Sequence, residues 1–284
     1  MTAVMVILLS CASKKTASDT SATKPKATIE KLDETQLKQL VSKLERRDNN
    51  ADGLLLLKGA NYYVSNAPKL SVEQMESFVE LLQNSRKEND EIMELCKRAA
   101  VSIDGGLKAA IGMYSKNPDK AVENLMTRQE NDANYSLLID TFKKQIEINK
   151  TKEYSMPDGD LVFYSHEVSG GMMRGTNYEI QKNSDGKTYL TTNANFRDMG
   201  DTTIVVPDTA LVHIQNIFAE YKMYELAPLY VTPYMVFDAP STHVSAKFSS
   251  GEYIRSDGQQ SAPHNKGVWV IEDYLKSLLP TREK

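Results

Sequence analysis

Apolar residues along the chain follow two regimes that meet near residue 152. Before that point they recur at spacings of three and four, the period of a helix with one buried face. Leu37, Leu40, Val41 and Leu44 make the first stripe, behind Asp33 and Gln36, which match a capping box. Ser71 and Gln74 repeat that start ahead of Val72, Met75, Phe78, Val79 and Leu82. A further stripe, Ile92, Cys96, Ala99 and Ile103, stops at Gly105-Gly106. Asn117-Pro118 reads as an N-cap followed by proline at the first helical position. Tyr135, Leu138, Ile139, Phe142 and Ile146 form the last stripe. Packed face to face, these stripes predict a small bundle. Gly53 to Val64, with four consecutive leucines, fits either a buried helix or a hydrophobic loop.

After Tyr154 the signals are those of strands. Leu161 to His166 is a β-rich run, and Tyr178 to Gln181 and Lys187 to Thr192 flank the hairpin signal Asp185-Gly186. Pro207 opens a helix with Leu211, Ile214, Ile217, Phe218 and Tyr221 on one face. Strands return at Tyr234 to Asp238, then at Val244, Ala246 and Phe248, and Ser249-Ser250-Gly251 turns the chain into Tyr253-Ile254. A closing helix places Val268, Ile271, Leu275 and Leu278 together, with Trp269 expected to plug the core, and ends at Pro280. The order strands, helix, strands, helix predicts an α+β fold: a helical bundle over residues 28–152, then an antiparallel sheet with two helices on one face over 153–284.

The N-terminus has a third character. Ala3 to Leu9 is apolar, far short of the roughly 20 residues of a spanning helix and long enough for a signal-peptide core. It ends in Leu8-Leu9-Ser10-Cys11, followed by the polar stretch Ala12 to Ala27. This resembles the lipobox of bacterial lipoprotein precursors. The resemblance implies that residues 1–10 are a signal peptide, and that Cys11 receives fatty chains such as palmitate and anchors the chain to a membrane of the cell envelope. Residues 11–27, rich in Ser, Thr, Ala and Lys, cannot bury enough surface to order themselves and would form a flexible tether. Its four lysines against one aspartate would favour anionic headgroups, and suit a merely soluble linker equally well.

The second half resembles a kind of domain of unknown function found in bacterial lipoproteins and other exported proteins. The resemblance is carried by Ser169-Gly170-Gly171-Met172, the Tyr178-Glu179-Ile180 strand before Asp185-Gly186, and the Tyr224 to Tyr230 link. Asp238, the Phe248 to Gly251 hairpin and the Pro263 to Leu279 helix complete it. It implies the fold and export, and no activity.

Charge is near balance, 34 basic residues against 38 acidic, which argues against a nucleic-acid partner. With Cys11 assigned to lipid, Cys96 has no mate for a disulfide, and its apolar stripe suits a buried, inert thiol. Asp48, Asn50 and Asp52 before Gly53 fit the first half of a calcium loop, and an ordinary turn accounts for them as well. The bidentate acid such a loop needs falls at Gly59. Of the four histidines, His166 has no zinc-like spacing, His213 reads as partly buried, and His243 and His264 border elements that could bring them together. Ser169, Gly170 and Gly171 could turn backbone amides toward an anion or form a bulged connection. No serine sits in G-x-S-x-G, and no cofactor motif is present.

These features lead to a lipid-anchored binding or interaction module, non-catalytic, with a protein, peptide or glycan of the envelope as partner. An envelope hydrolase with a site in the second half, and a structural or folding-assistance protein, are the alternatives.

Overall fold

The computed structural model describes residues 29–46, 50–170, 175–193, 201–232 and 239–280, without the side chains of 50–57. Helix α1 (Glu34–Glu45) starts at the capping box expected of it. The Asp33 side chain accepts from Gln36 N and the Gln36 side chain from Asp33 N. Helix α2 (Asn50–Asn66) resolves the leucine run as helix, broken at Gly59, whose φ of 69° places it in the region open to glycine. Helix α3 (Val72–Ser102) begins at Ser71, which accepts from Gln74 N. It runs unbroken through what the periodicity divides into two stripes. Helix α4 (Gly106–Tyr114), not foreseen, follows the glycine stop. Helix α5 (Pro118–Lys150), capped by Asn117, likewise joins two expected segments.

Helices α3 and α5 pack along each other, and their burial divides into two apolar clusters. One holds Leu40, Leu44, Ile92, Cys96 and Leu125. The other holds Tyr63, Phe78, Leu82, Tyr135 and Phe142. Between them lies a polar waist of Ser85 and Asn89 on α3 and Arg128 and Asn131 on α5, all buried. Cys96 is buried as expected, and burial pushes its thiol up to about 12, which keeps it protonated and inert.

The second half is a sheet with two helices. A meander of β1 (Leu161–Ser169), β2 (Thr176–Lys182), β3 (Thr188–Thr192) and β4 (Thr202–Val206) leads into α6 (Thr209–Glu220). Then come β5 (Leu229–Val231), β6 (Ser241–Phe248), β7 (Tyr253–Gln259) and α7 (Lys266–Ser277). The expected class and order are therefore present: helices first, then an α+β region. The strand order is β4-β3-β2-β1-β6-β7-β5. Neighbours pair antiparallel except β5, which runs parallel to β7, so the sheet is mixed rather than antiparallel throughout. The strand expected at Tyr234 to Asp238 lies outside the described residues.

One face of the sheet is closed by α6 and α7. Tyr164, Ile180, Leu190, Val244, Ala246 and Phe248 point at Leu211, Ile214, Phe218, Val268, Ile271 and Leu275. The β1 register shifts between Leu161 and Phe163, and this bulge lets Leu161 join the same core as Tyr164. Trp269 does not plug this core: it is 45% exposed, because it sits one residue off the stripe that Val268, Ile271 and Leu275 define. His213 is exposed rather than partly buried, and its ring lies tilted against Tyr274 with centroids 4.3 Å apart.

The two halves share apolar surface. Leu229 and Val231 of β5 are buried in the same cluster as Tyr63, Phe78 and Phe142. Leu70 bridges Leu229, and Gln74 Nε2 donates to Val231 O at 3.0 Å. The helical half thereby covers the β5 edge of the sheet, an edge that would otherwise present unpaired backbone groups. No helix among the described residues is long and apolar enough to cross a membrane.

Candidate binding site on the open sheet face

Alternation sends every second side chain to the face that α6 and α7 leave open. The register lines these side chains up across four neighbouring strands. Asn177, Glu167, His243 and Asp257 form one row over β2, β1, β6 and β7. Glu179, Ser165, Ser245 and Arg255 form the next. All but Asp257 line a cavity of about 310 Å³. The parallel pairing of β5 puts Leu229 beside Asp257 on this same face, so the polar rows begin where the helical half stops. At that boundary Gln259 accepts from Tyr62 Oη at 2.8 Å and from Lys58 Nζ.

His243 and Asp257 are direct cross-strand partners, and His243 Nδ1 lies 2.8 Å from Asp257 Oδ1. An ionised carboxylate can only accept, so Nδ1 carries the proton in this contact. Arg255 Nε donates to both Asp257 oxygens at 3.0 Å. Partial burial raises the Asp257 carboxyl, and the bonds from Arg255 and His243 outweigh it, so its pKa falls below the ordinary value. The same contact raises the Arg255 guanidinium.

His264 does not join His243. It stacks on Tyr230 with ring centroids 5.7 Å apart. Tyr230 alternates with Leu229 and Val231, so it faces the helix-covered side of the sheet. There His264 borders a second hollow with Asn265, Lys266 and Trp269 at the start of α7. Ser169 closes β1 opposite Ser241 on the open face, and Gly170 follows with a φ of 82°. Gly171, Asp48 and Cys11 lie outside the described residues, and Asn50 and Asp52 sit in the first turn of α2 with their side chains outside them. Among the described residues, no group of three or more His, Cys, Asp or Glu is placed to hold a metal ion.

Glu167, Glu179, Asn177, Ser165, Ser245, Arg255 and Asp257 belong to no motif in the sequence. Four of the seven carry a local signal. Phe163, Ser165, Glu167 in β1 and Asn177, Glu179, Gln181 in β2 alternate with buried residues. Which of them stand side by side depends on cross-strand register, which no local pattern encodes.

Behind the site, on the covered face, His166 is buried without a hydrogen bond at either ring nitrogen. Glu272 Oε2 lies 3.6 Å from Nδ1, and the Trp269 ring meets the imidazole edge-on. Burial lowers the His166 pKa below its ordinary value, Glu272 opposes this, and Lys276 adds to it. A ring kept neutral in the fold is protonated first in the unfolded chain. Its contribution is complete above the unfolded value of about 6.5 and lost as pH falls from there toward the folded value. Urea midpoints measured against pH should therefore drop below pH of about 6.5 more steeply in the parent chain than in His166→Phe. Parallel curves would contradict this.

No protein-family model matches the chain, and no curated protein matches it.

Proposed function

We propose that the chain is a lipid-anchored protein of the bacterial cell envelope that binds a partner through the open face of its sheet, without catalysing a reaction. The anchor is supported by the order of an apolar leader, Leu8-Leu9-Ser10-Cys11, and a polar tether. The observation that carries the rest is where Glu30 and Leu32 are held. Leu32 N donates to Ser102 Oγ, and Arg98 donates to Glu30, at the C-terminal end of α3. The sheet meets α3 at its other end, through Gln74. At 1.5 Å per residue those two points are roughly 40 Å apart. A tether reaching Cys11 thus leaves from the end remote from the polar face, and α3 with α5 acts as a spacer. This favours a surface held out from the bilayer.

The face suits binding better than catalysis. His243 and Asp257 resemble the base and orienting pair of a hydrolase, yet among the described residues no serine or cysteine is hydrogen-bonded to Nε2 as a nucleophile would be. Membrane fractionation of the full chain in a bacterial host tests the anchor. The parent chain should stay with membranes through salt and carbonate washing, and Cys11→Ser should be released. Release of both chains would overturn the reading.

A further inference from the structure

Resting on that binding role, we infer that the cavity over β1, β2 and β6 takes an ammonium or guanidinium group, offered by a basic side chain of an extended peptide. The charged groups of the face divide into spent and unspent. Asp257 is spent: it accepts from His243 and from Arg255, and so opposes the Arg255 charge. Glu167 and Glu179 have no hydrogen bond or ion pair among the described residues. Glu167 stands opposite Asn177 and Glu179 opposite Ser165, which makes the two carboxylates diagonal neighbours on one face. Diagonal positions lie about 7–8 Å apart. Two carboxylates at that spacing repel each other, and each can lean to within about 2.7–2.9 Å of one nitrogen cation held between them.

A neutral group points the same way. Ser245 is only 9% exposed, lines the cavity, and its hydroxyl has no hydrogen-bond partner among the described residues. Over these rows and the next, the acids Glu167, Glu179 and Asp257 outnumber the bases Arg255 and Lys247 by three to two, and the two unpaired carboxylates are Glu167 and Glu179. A group that bridges the two unpaired carboxylates brings several donors, which describes ammonium and guanidinium. One row further along the strands, Phe163, the exposed Lys247 and the exposed Tyr253 stand side by side, with Tyr189 beyond Gln181. Aromatic faces accept the apolar stems and cationic heads of lysine and arginine. An open, flat approach suits an extended segment, with successive side chains lying along the strands.

Calorimetric titration of the full chain in mild detergent tests this, with octalysine as probe. Fully Nε-acetylated octalysine and a neutral N-acetylglucosamine oligomer serve as comparison arms. Octalysine should bind and the acetylated peptide should not. Glu167→Gln with Glu179→Gln should weaken binding at least about tenfold, the loss of one to two charge-assisted hydrogen bonds. Glu94→Gln with Asp119→Asn, on the far helices, should leave the affinity unchanged, which separates the cavity from the general acidity of the chain. Ser245→Ala should weaken octalysine binding by a smaller factor. Equal binding of acetylated and free octalysine, or an unchanged affinity in the glutamine pair, would overturn the inference. Binding of the neutral sugar, lost in the glutamine pair, would overturn the ligand class while leaving the face as the binding surface. Failure of the anchored reading is read separately, from membrane fractionation.

Discussion

Phe142→Ala is expected to destabilise the chain by about 3–5 kcal/mol, the usual range for deleting a fully buried phenylalanine. Phe142 is inaccessible to solvent and its ring packs against Phe78, which packs against Tyr63. Little can collapse into the space, because the neighbours are large rings held by three helices. The loss is at least about a fifth of the roughly 5–15 kcal/mol typical of a domain. The same cluster contains Leu229 and Val231 of β5, so the damage should reach the sheet. Two signals report on the two halves. Helical circular dichroism is dominated by α1 to α5, and fluorescence comes from Trp269, the single tryptophan, on α7. Both midpoints should fall together in urea. A fluorescence midpoint that stays in place while the helical signal moves would mean that the halves unfold independently.

Arg128→Met is expected to act in the opposite direction, raising stability by about 1–3 kcal/mol. Arg128 is 3% exposed, yet Nη1 has no hydrogen bond, and Nη2 is 3.9 Å from a Glu88 carboxylate that is itself 47% exposed. Burying a guanidinium costs several kcal/mol, and an ion pair at that distance and exposure returns little of it. Methionine keeps the length of the side chain without the charge. Asn89 still reaches the backbone carbonyl at position 128, since that bond does not involve the side chain. The variant would join the two apolar clusters of the bundle into one. Urea denaturation of both chains gives the difference, and a loss of more than about 1 kcal/mol would contradict this reading of the polar waist.

That waist also explains where the sequence misled. The apolar periodicity of α3 and α5 fades at Ser85–Asn89 and at Arg128–Asn131, which suggests breaks. Polar residues change what a helix face buries without stopping its backbone. Neither stretch contains glycine or proline beyond the opening Pro118, and the absence of breakers predicts one long helix each. The caps at Asp33, Ser71 and Asn117 were legible because capping is local chemistry. Strand β5 was not, because three residues after Pro228 offer no alternation, and its pairing with β7 joins positions far apart in the chain. His243 drew notice alone, while Asp257, fourteen residues on, completes the pair only through the β6–β7 register.

The most direct test of the working surface is carbodiimide amidation of carboxyl groups, read peptide by peptide in native envelope membranes and in the purified chain. Glu94, 62% exposed on α3, provides the internal reference. Glu167 and Glu179 should be amidated as readily as Glu94 in the purified chain and be protected in the membranes, where a partner fills the face. Equal labelling of all three glutamates in both samples would contradict the account.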